Sequence, residues 1–277
     1  PTARQSRPML KRFLPLVALA TLTLPSVALA QGVTSSADSR ATEAGRQILH
    51  QGGTAADAAV AMVAVLTLVE PQSSGIGGGG LMLHHDARDG SISTIDGREM
   101  APASAKPDRF IGPDGKPRSY SDAIPGGLSV GVPGNMRVME MAHKKWGKLE
   151  WSALFQPGIK LAEEGFEVTP VLHNWMTRFE SLWKDFPDAR AIYYVDGKPA
   201  PVGTRIRNPA YAALLRDVAA RGPDAFYSGA NARAISDAVA NAPRNKATLT
   251  VKDVAAYEAK ERPAVCTTYR VYKVCGM

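Results

Sequence analysis

Cysteine and histidine are scarce in this sequence, which holds two Cys and five His among 277 residues. The histidines form no H-x-x-x-H pair and the cysteines are not separated by two residues, and these are the patterns typical of zinc sites. The Ser, His and Asp residues also show no recognisable triad order. The residues alone therefore predict no metal site and identify no catalytic nucleophile.

An excess of acidic residues is missing too, and the excess of basic residues is local. The formal net charge is +7, but four basic residues and no acidic ones lie in the first thirty positions, so the remainder carries only +3. This weak positive charge argues against nucleic acid as a partner. With 45% hydrophobic and 21% charged residues, the composition indicates a globular protein of one large domain or two small ones.

The first thirty residues have the layout of a secretory signal peptide. Lys11 and Arg12 precede a mostly apolar run over residues 13–24, and Ala28-Leu29-Ala30 has the small-x-small pattern of a cleavage site. The run is shorter than the roughly 20 apolar residues of a membrane span, so we expect no stable membrane anchor. We interpret residues 1–30 as upstream residues and a signal peptide, and residues 31–277 as part of a protein that is periplasmic or secreted.

Cys266 and Cys275 are candidates for a disulfide, because an exported protein meets an oxidising compartment. They are at the two ends of CTTYRVYKVC, whose Thr, Tyr and Val residues favour strands. A tight hairpin centred near Arg270 would place the two sulfur atoms opposite each other. The alternative is two separate small buried side chains.

Helix signals alternate with strand signals after residue 31. Thr54 and Asp57 form a T-x-x-D capping box before an almost wholly apolar stretch, which predicts a buried helix over residues 55–69. Thr250 and Asp253 repeat the capping box before a short helix. Other predicted helices cover residues 41–51, 135–146, 151–164, 169–183, 208–220 and 230–242, and Asn135 is expected to cap the second of these. Predicted strands cover residues 81–85, 91–96 and 128–132, and an Asp89-Gly90 turn is expected to join the first two in a hairpin. The fold class is therefore α+β or layered α/β.

Four consecutive glycines, Gly77, Gly78, Gly79 and Gly80, follow the apolar helix in the motif EPQSSGIGGGG. Glycine allows positive φ angles and allows a ligand or another strand to approach the backbone closely. The run lacks the Lys-Ser/Thr of a phosphate loop and precedes a strand, so we expect no nucleotide cofactor. Two interpretations of the glycine run stay open. It can form a turn beside the substrate, or it can allow two strands to cross.

Arg98 is the candidate binding residue. It lies between Gly97 and Glu99 at the end of a predicted strand, where its neighbours can hold the side chain in place. A guanidinium binds a carboxylate through two parallel hydrogen bonds, which lysine cannot reproduce. The alternative is an ordinary surface pair of Arg98 and Glu99.

Several blocks of the sequence resemble the large-subunit half of the γ-glutamyltransferases, also called glutathione hydrolases. The blocks are, in order, GGTAADAAVA, EPQSSGIGGGG, DGREMAP, VPG, GPDAFYSG and YRVYKVCGM. The likeness extends from about residue 33 to residue 277. Their order and similar spacing make a chance match improbable.

The resemblance implies the αββα sandwich of the N-terminal nucleophile hydrolases, of which residues 31–277 would be the large-subunit portion. Such a proenzyme cuts itself before a threonine, whose α-amine then serves as the base for its own hydroxyl. The threonine would transfer the γ-glutamyl group of glutathione or a related amide to water, an amino acid or a peptide. By the same resemblance, Arg98 grips the donor's α-carboxylate, with possible support from Glu99 and the glycine run.

Within the resemblance, the threonine nucleophile and the small subunit are expected outside this chain, so we predict that these residues alone are inactive. No cofactor is expected. One alternative is a cephalosporin acylase of the same fold that accepts a glutaryl group. Another is a non-catalytic periplasmic binder of amino acids or peptides that keeps Arg98 for their carboxylates.

Overall fold

A computed structural model describes residues 32–277, and the predicted signal peptide, residues 1–30, lies outside the described part. The α-helices are α1 (Ser39–His50), α2 (Ala55–Val69), α3 (Tyr120–Ala123), α4 (Asn135–Trp146), α5 (Gln156–Glu164), α6 (Pro170–Arg178), α7 (Glu180–Trp183), α8 (Pro187–Tyr193), α9 (Pro209–Arg221), α10 (Asp224–Tyr227), α11 (Gly229–Ala240) and α12 (Val251–Ala255). The strands are β1 (Gly80–Asp86), β2 (Ser91–Gly97), β3 (Phe166–Glu167), β4 (Tyr194–Val195), β5 (Lys198–Pro199), β6 (Arg205–Ile206), β7 (Lys260–Arg262), β8 (Val265–Tyr269) and β9 (Tyr272–Gly276).

Helix α2 lies in the main core, and the capping box predicted at its start is confirmed. Thr54 Oγ1 accepts a hydrogen bond from Asp57 N at 3.2 Å, and Asp57 Oδ2 accepts one from Thr54 N at 2.9 Å. The same Oδ2 accepts hydrogen bonds from Lys148 N and Leu149 N at 2.9 and 3.2 Å. Asp57 is 0% exposed, so this carboxylate both caps α2 and fixes the segment that follows α4.

Strands β1, β2 and β7 form an antiparallel sheet in the order β1-β2-β7. Gly80 pairs with Gly97 and Asp86 with Ser91, which confirms the predicted hairpin and its Asp89-Gly90 turn. One face of the sheet packs on α2 and α4, where Ile95 is completely buried. The opposite face is open along β1, with Leu81 49% and Leu83 43% exposed, whereas Thr94 of β2 is buried there. The described residues thus combine a helical layer with one three-stranded sheet and three two-stranded sheets.

The predicted strand over residues 128–132 is wrong. Residues Gly127–Ser129 form a 3₁₀ turn, because Gly127 N and Leu128 N donate to the carbonyls of Arg244 and Asn245 in an irregular segment. Only Val132 makes a β-bridge, with Met100.

Two long predicted helices are each divided. The first begins as a 3₁₀ helix, Trp151–Phe155, and continues as α5, because Pro157 has no N–H to donate to the preceding turn. The second is interrupted at Phe179, which separates α6 from α7 with φ −111° and ψ 25°.

Strands β8 and β9 form a separate hairpin with a two-residue turn at Arg270 and Val271. Arg270 adopts a φ of 55° in this turn. Cys266 is directly opposite Cys275, with 4.1 Å between their Cα atoms, and the structure joins them in a disulfide. In residues 32–277, none of the helices combines the length and the apolar character needed to cross a bilayer.

Candidate functional site

Three segments from different parts of the chain meet at the end of β2. They are the glycine turn (residues 75–80), the arginine loop (residues 97–100) and the proline turn (residues 132–134). The carbonyl of Gly78 accepts hydrogen bonds from Gly134 N and Asn135 N at 2.9 and 3.0 Å. Met100 and Val132 exchange two backbone hydrogen bonds, of 3.4 and 2.8 Å. The three segments therefore support one another through their backbones.

Arg98 lies in the arginine loop with its backbone fixed and its side chain 62% exposed. Its N–H donates to Asp96 Oδ1 at 2.9 Å. This hydrogen bond holds the pKa of the Asp96 carboxyl below its usual value, and the ion pair of Asp96 with Arg262 has the next largest lowering effect. Asp96 is therefore a carboxylate at neutral pH and anchors the loop.

The Arg98 guanidinium contacts two groups of the site. Nη2 is 3.2 Å from Glu99 Oε2, and Nη1 donates to the carbonyl of Gly79 at 3.4 Å. A guanidinium has five N–H donors, so these contacts leave donors free for a ligand on the exposed side. The arrangement suits an anion that accepts two parallel hydrogen bonds.

Glu99 connects the arginine loop to the glycine turn. Its Oε1 accepts a hydrogen bond from Gly79 N at 2.7 Å, while its Oε2 faces Arg98. The pair is therefore tied to the backbone of a second segment, unlike an isolated pair of surface side chains.

The glycine run allows other parts of the backbone to lie close to it, and its own backbone conformation is not unusual. Positive φ, expected there as one possibility, is not adopted by Gly77, Gly78, Gly79 or Gly80. A Cβ atom on Gly79 would lie 2.7 Å from both Glu99 N and Gly97 O, whereas one on Gly77 would meet nothing within 4 Å. The structural requirement for glycine is thus strongest where the turn touches the arginine loop.

The proline turn and its surroundings include residues that sequence reasoning missed. Asn135 was expected to cap α4, but Gly134 is the N-cap and Asn135 Nδ2 donates to the carbonyl of Gly75 at 2.6 Å. Tyr257 Oη donates to the Arg98 carbonyl at 2.7 Å, and Tyr227 Oη donates to the Pro133 carbonyl at 3.1 Å. No local pattern indicates these contacts, because 159 and 94 residues separate the partners.

The histidines are placed apart from this site's charged pair. His84 stacks on Trp146 with 4.0 Å between the ring centroids, and its neighbour His85 is exposed on the other face of β1. The two adjacent histidines therefore lie on opposite faces of the strand, one toward the core and one toward the solvent. Within residues 32–277, no three or more His, Cys, Asp or Glu side chains are grouped to hold a metal ion.

Solved structures define the class of protein to which this fold belongs. The crystal structure of Helicobacter pylori γ-glutamyltranspeptidase matches with a TM-score of 0.83 and 30% identity, over 89% of this chain and 70% of that chain. The cephalosporin acylase from Bacillus halodurans matches with a TM-score of 0.73 and 30% identity, over 85% of this chain and 44% of that chain. The fold is the α+β fold of the N-terminal nucleophile hydrolases.

Within this class, the chain belongs to the γ-glutamyltranspeptidase family, whose family model matches residues 41–277. The glutathione hydrolase proenzyme of Escherichia coli strain K12 is 36% identical over 248 residues. That alignment covers 89% of this chain and 42% of the relative. The chain thus spans less than half the length of the curated relatives that it matches.

Proposed function

We propose that these residues are the donor-binding part of a γ-glutamyltransferase, or glutathione hydrolase, proenzyme. The observation that carries the proposal is the placement of Arg98. Its backbone is fixed by Asp96, and its exposed guanidinium has N–H groups free to bind a carboxylate. A γ-glutamyl amide such as glutathione presents an α-carboxylate to this fork. Two parallel charge-assisted hydrogen bonds would orient the donor as well as bind it.

The chemical step is acyl transfer to a threonine of the complete proenzyme. Its hydroxyl oxygen attacks the γ-carbonyl carbon while its α-amine takes the hydroxyl proton. The C–N bond of the donor breaks, the amine leaves with that proton, and a glutamyl ester remains on the threonine. Water, an amino acid or a peptide then attacks the ester and regenerates the hydroxyl.

The further assignments concern partner and compartment. The relatives are described as proenzymes, and the open face of the β1-β2-β7 sheet offers a place for the small subunit produced by self-cleavage. The predicted signal peptide supports export to the periplasm or the medium.

A substitution of Arg98 tests the donor-binding role. In the complete proenzyme, Arg98→Lys keeps the charge but removes the fork, so KM for a γ-glutamyl anilide should rise at least about tenfold, the effect of losing a charge-assisted hydrogen bond. The value of kcat should change less. Arg88→Lys is the matched control, because Arg88 pairs with Asp86 in the same hairpin at 2.5 Å and its side chain is highly exposed. An unchanged KM in Arg98→Lys would overturn the assignment.

The acylase alternative has its own support, because the cephalosporin acylase is as similar to this chain in identity as the transpeptidase structure is. A glutaryl group carries the same carboxylate and lacks only the α-amino group. Comparing kcat/KM for glutaryl and γ-glutamyl anilides separates the two activities. Failure to release product from either donor would instead favour a non-catalytic binder.

A further inference from the structure

Two tyrosine rings are stacked beneath the arginine loop and the proline turn. Tyr227 ends α10, and Tyr257 follows α12. Their ring centroids are 6.2 Å apart with an interplanar angle of 8°. Both are buried, and Tyr257 is only 3% exposed. Since one ring comes from α10 and the other from the segment after α12, the stack joins these two parts of the chain below the candidate site.

Each hydroxyl holds a different segment of the site. Tyr257 Oη donates to the Arg98 carbonyl at 2.7 Å, the only side chain among the described residues that does so. Tyr227 Oη donates to the Pro133 carbonyl at 3.1 Å and accepts a hydrogen bond from Arg137 N at 3.2 Å. The tyrosines therefore hold the arginine loop and the proline turn at fixed positions relative to each other.

The Tyr227 ring of the stack is itself held by Arg137. The Arg137 guanidinium lies over the Tyr227 ring, 4.3 Å from Cζ to the centroid. Arg137 also pairs with Glu140 and Asp224 at 2.7 and 2.8 Å. The Tyr227 ring thus contacts both a paired guanidinium and the Tyr257 ring, which limits its movement.

The Tyr257 hydroxyl also fills the space beside Gly134. A Cβ atom on Gly134 would collide with Tyr257 Oη and with the Gly97 carbonyl. Burial, and after it the charges of Asp96 and Glu99, raise the pKa of Tyr257, so its hydroxyl keeps the proton that it donates. The hydroxyl therefore acts as a spacer and a donor between two segments of the site.

We propose that Tyr257 is a positioning residue for donor binding, and that its hydroxyl sets the place from which the Arg98 guanidinium reaches the donor carboxylate. The proposal rests on the proposed function of Arg98. The Arg98 side chain is 62% exposed and, within the described part of the chain, contacts only Glu99 and the Gly79 carbonyl through its guanidinium, so its position also depends on where its backbone is held. Asp96 fixes the N–H of Arg98 and Tyr257 fixes its C=O, and loss of either bond lets the loop move.

The test uses the complete proenzyme with a γ-glutamyl anilide. Tyr257→Phe keeps the stacked ring and removes the hydroxyl, so KM should rise about fivefold, as expected for the loss of one hydrogen bond, with kcat nearly unchanged. Tyr211→Phe is the matched control, because Tyr211 Oη also donates to a backbone carbonyl, that of Ala64 at 2.9 Å, in the core between α9 and α2. This control should leave KM unchanged.

A double-mutant cycle separates positioning from general stability. If Tyr257 acts through Arg98, Tyr257→Phe should not raise KM further in an Arg98→Ala background. An equal rise in that background, or a lower unfolding temperature with unchanged KM, would overturn the proposal. If Arg98→Lys itself leaves KM unchanged, the proposed function of Arg98 fails. If Arg98→Lys raises KM and Tyr257→Phe does not, only the positioning role fails.

Discussion

Single carboxylates behave differently here according to their neighbours, as Asp38 and Glu70 show. Burial alone would raise the pKa of Asp38, but hydrogen bonds from Arg40, at 2.5 to 2.9 Å, bring it below the usual value. Burial, and then the charge of Asp38, raise the pKa of Glu70, and the amide of Gln72 opposes this only in part. The neighbours therefore shift the pKa values of two buried carboxyl groups in opposite directions.

Replacing Glu70 should change how stability depends on pH. Because its folded pKa is raised, the folded state binds more protons than the unfolded state in the window between the two pKa values, so stability is lost as pH rises through that window. Glu70→Gln imitates the protonated side chain. The variant should match the parent protein below the ordinary pKa of Glu and unfold about 2 °C higher at pH 7.

The measurement is thermal unfolding of the complete protein between pH 2 and pH 7. Glu43→Gln is the control, because hydrogen bonds from Arg46 lower the pKa of Glu43 to about 2. Loss of the Glu43 carboxylate should therefore change the pH dependence of stability in the opposite direction. Parallel curves for Glu70→Gln and the parent protein would contradict the expectation.

Elements whose signals lie within a few residues could be predicted from the sequence. The capping boxes of Thr54 with Asp57 and Thr250 with Asp253 both form, and the β1-β2 hairpin has the expected turn. The predicted strand over residues 128–132 failed because its backbone partners come from residues 244 and 245. The Tyr257 contact was missed for the same reason, since its partner is 159 residues away. Contacts between distant residues thus determine the structure of those segments for which local sequence patterns are not sufficient.

The glycine run offers a matched pair of substitutions at the scale of one turn. In Gly79→Ala the new methyl group would lie 2.7 Å from Glu99 N and Gly97 O, both backbone atoms, so the arginine loop must shift. We expect a loss of about 2 kcal/mol in stability, the usual cost of overpacking, and a higher KM for the γ-glutamyl donor. Gly77→Ala meets nothing within 4 Å and should be nearly neutral.

Unfolding temperatures and KM values of the two variants in the complete protein provide the comparison. Equal behaviour of Gly77→Ala and Gly79→Ala would show that the run serves general flexibility and not the contact with Glu99.

At the scale of the whole molecule, apolar side chains are exposed on two sheet surfaces. Leu81 and Leu83 lie on the open face of β1. The β8-β9 hairpin pairs Tyr269 with Tyr272 on one face and the two cysteines on the other, and both tyrosines are exposed. Large contiguous apolar patches are rare on monomeric soluble proteins and mark interaction sites. The chain spans less than half the length of its proenzyme relatives. We therefore propose that the rest of the complete proenzyme covers these two surfaces.

Charged substitutions on the open face should therefore block maturation of the complete proenzyme. Leu83→Glu would place an unpaired carboxylate in the proposed subunit contact, which costs several kcal/mol, so the self-cleaved, two-subunit form should fall at least about tenfold. Val202→Glu, in the segment between β5 and β6, is the matched control because Val202 is 52% exposed and lies outside both surfaces. Densitometry of precursor and subunits, with size-exclusion chromatography, measures the outcome. Normal maturation of Leu83→Glu would show that the open face stays exposed in the complete protein.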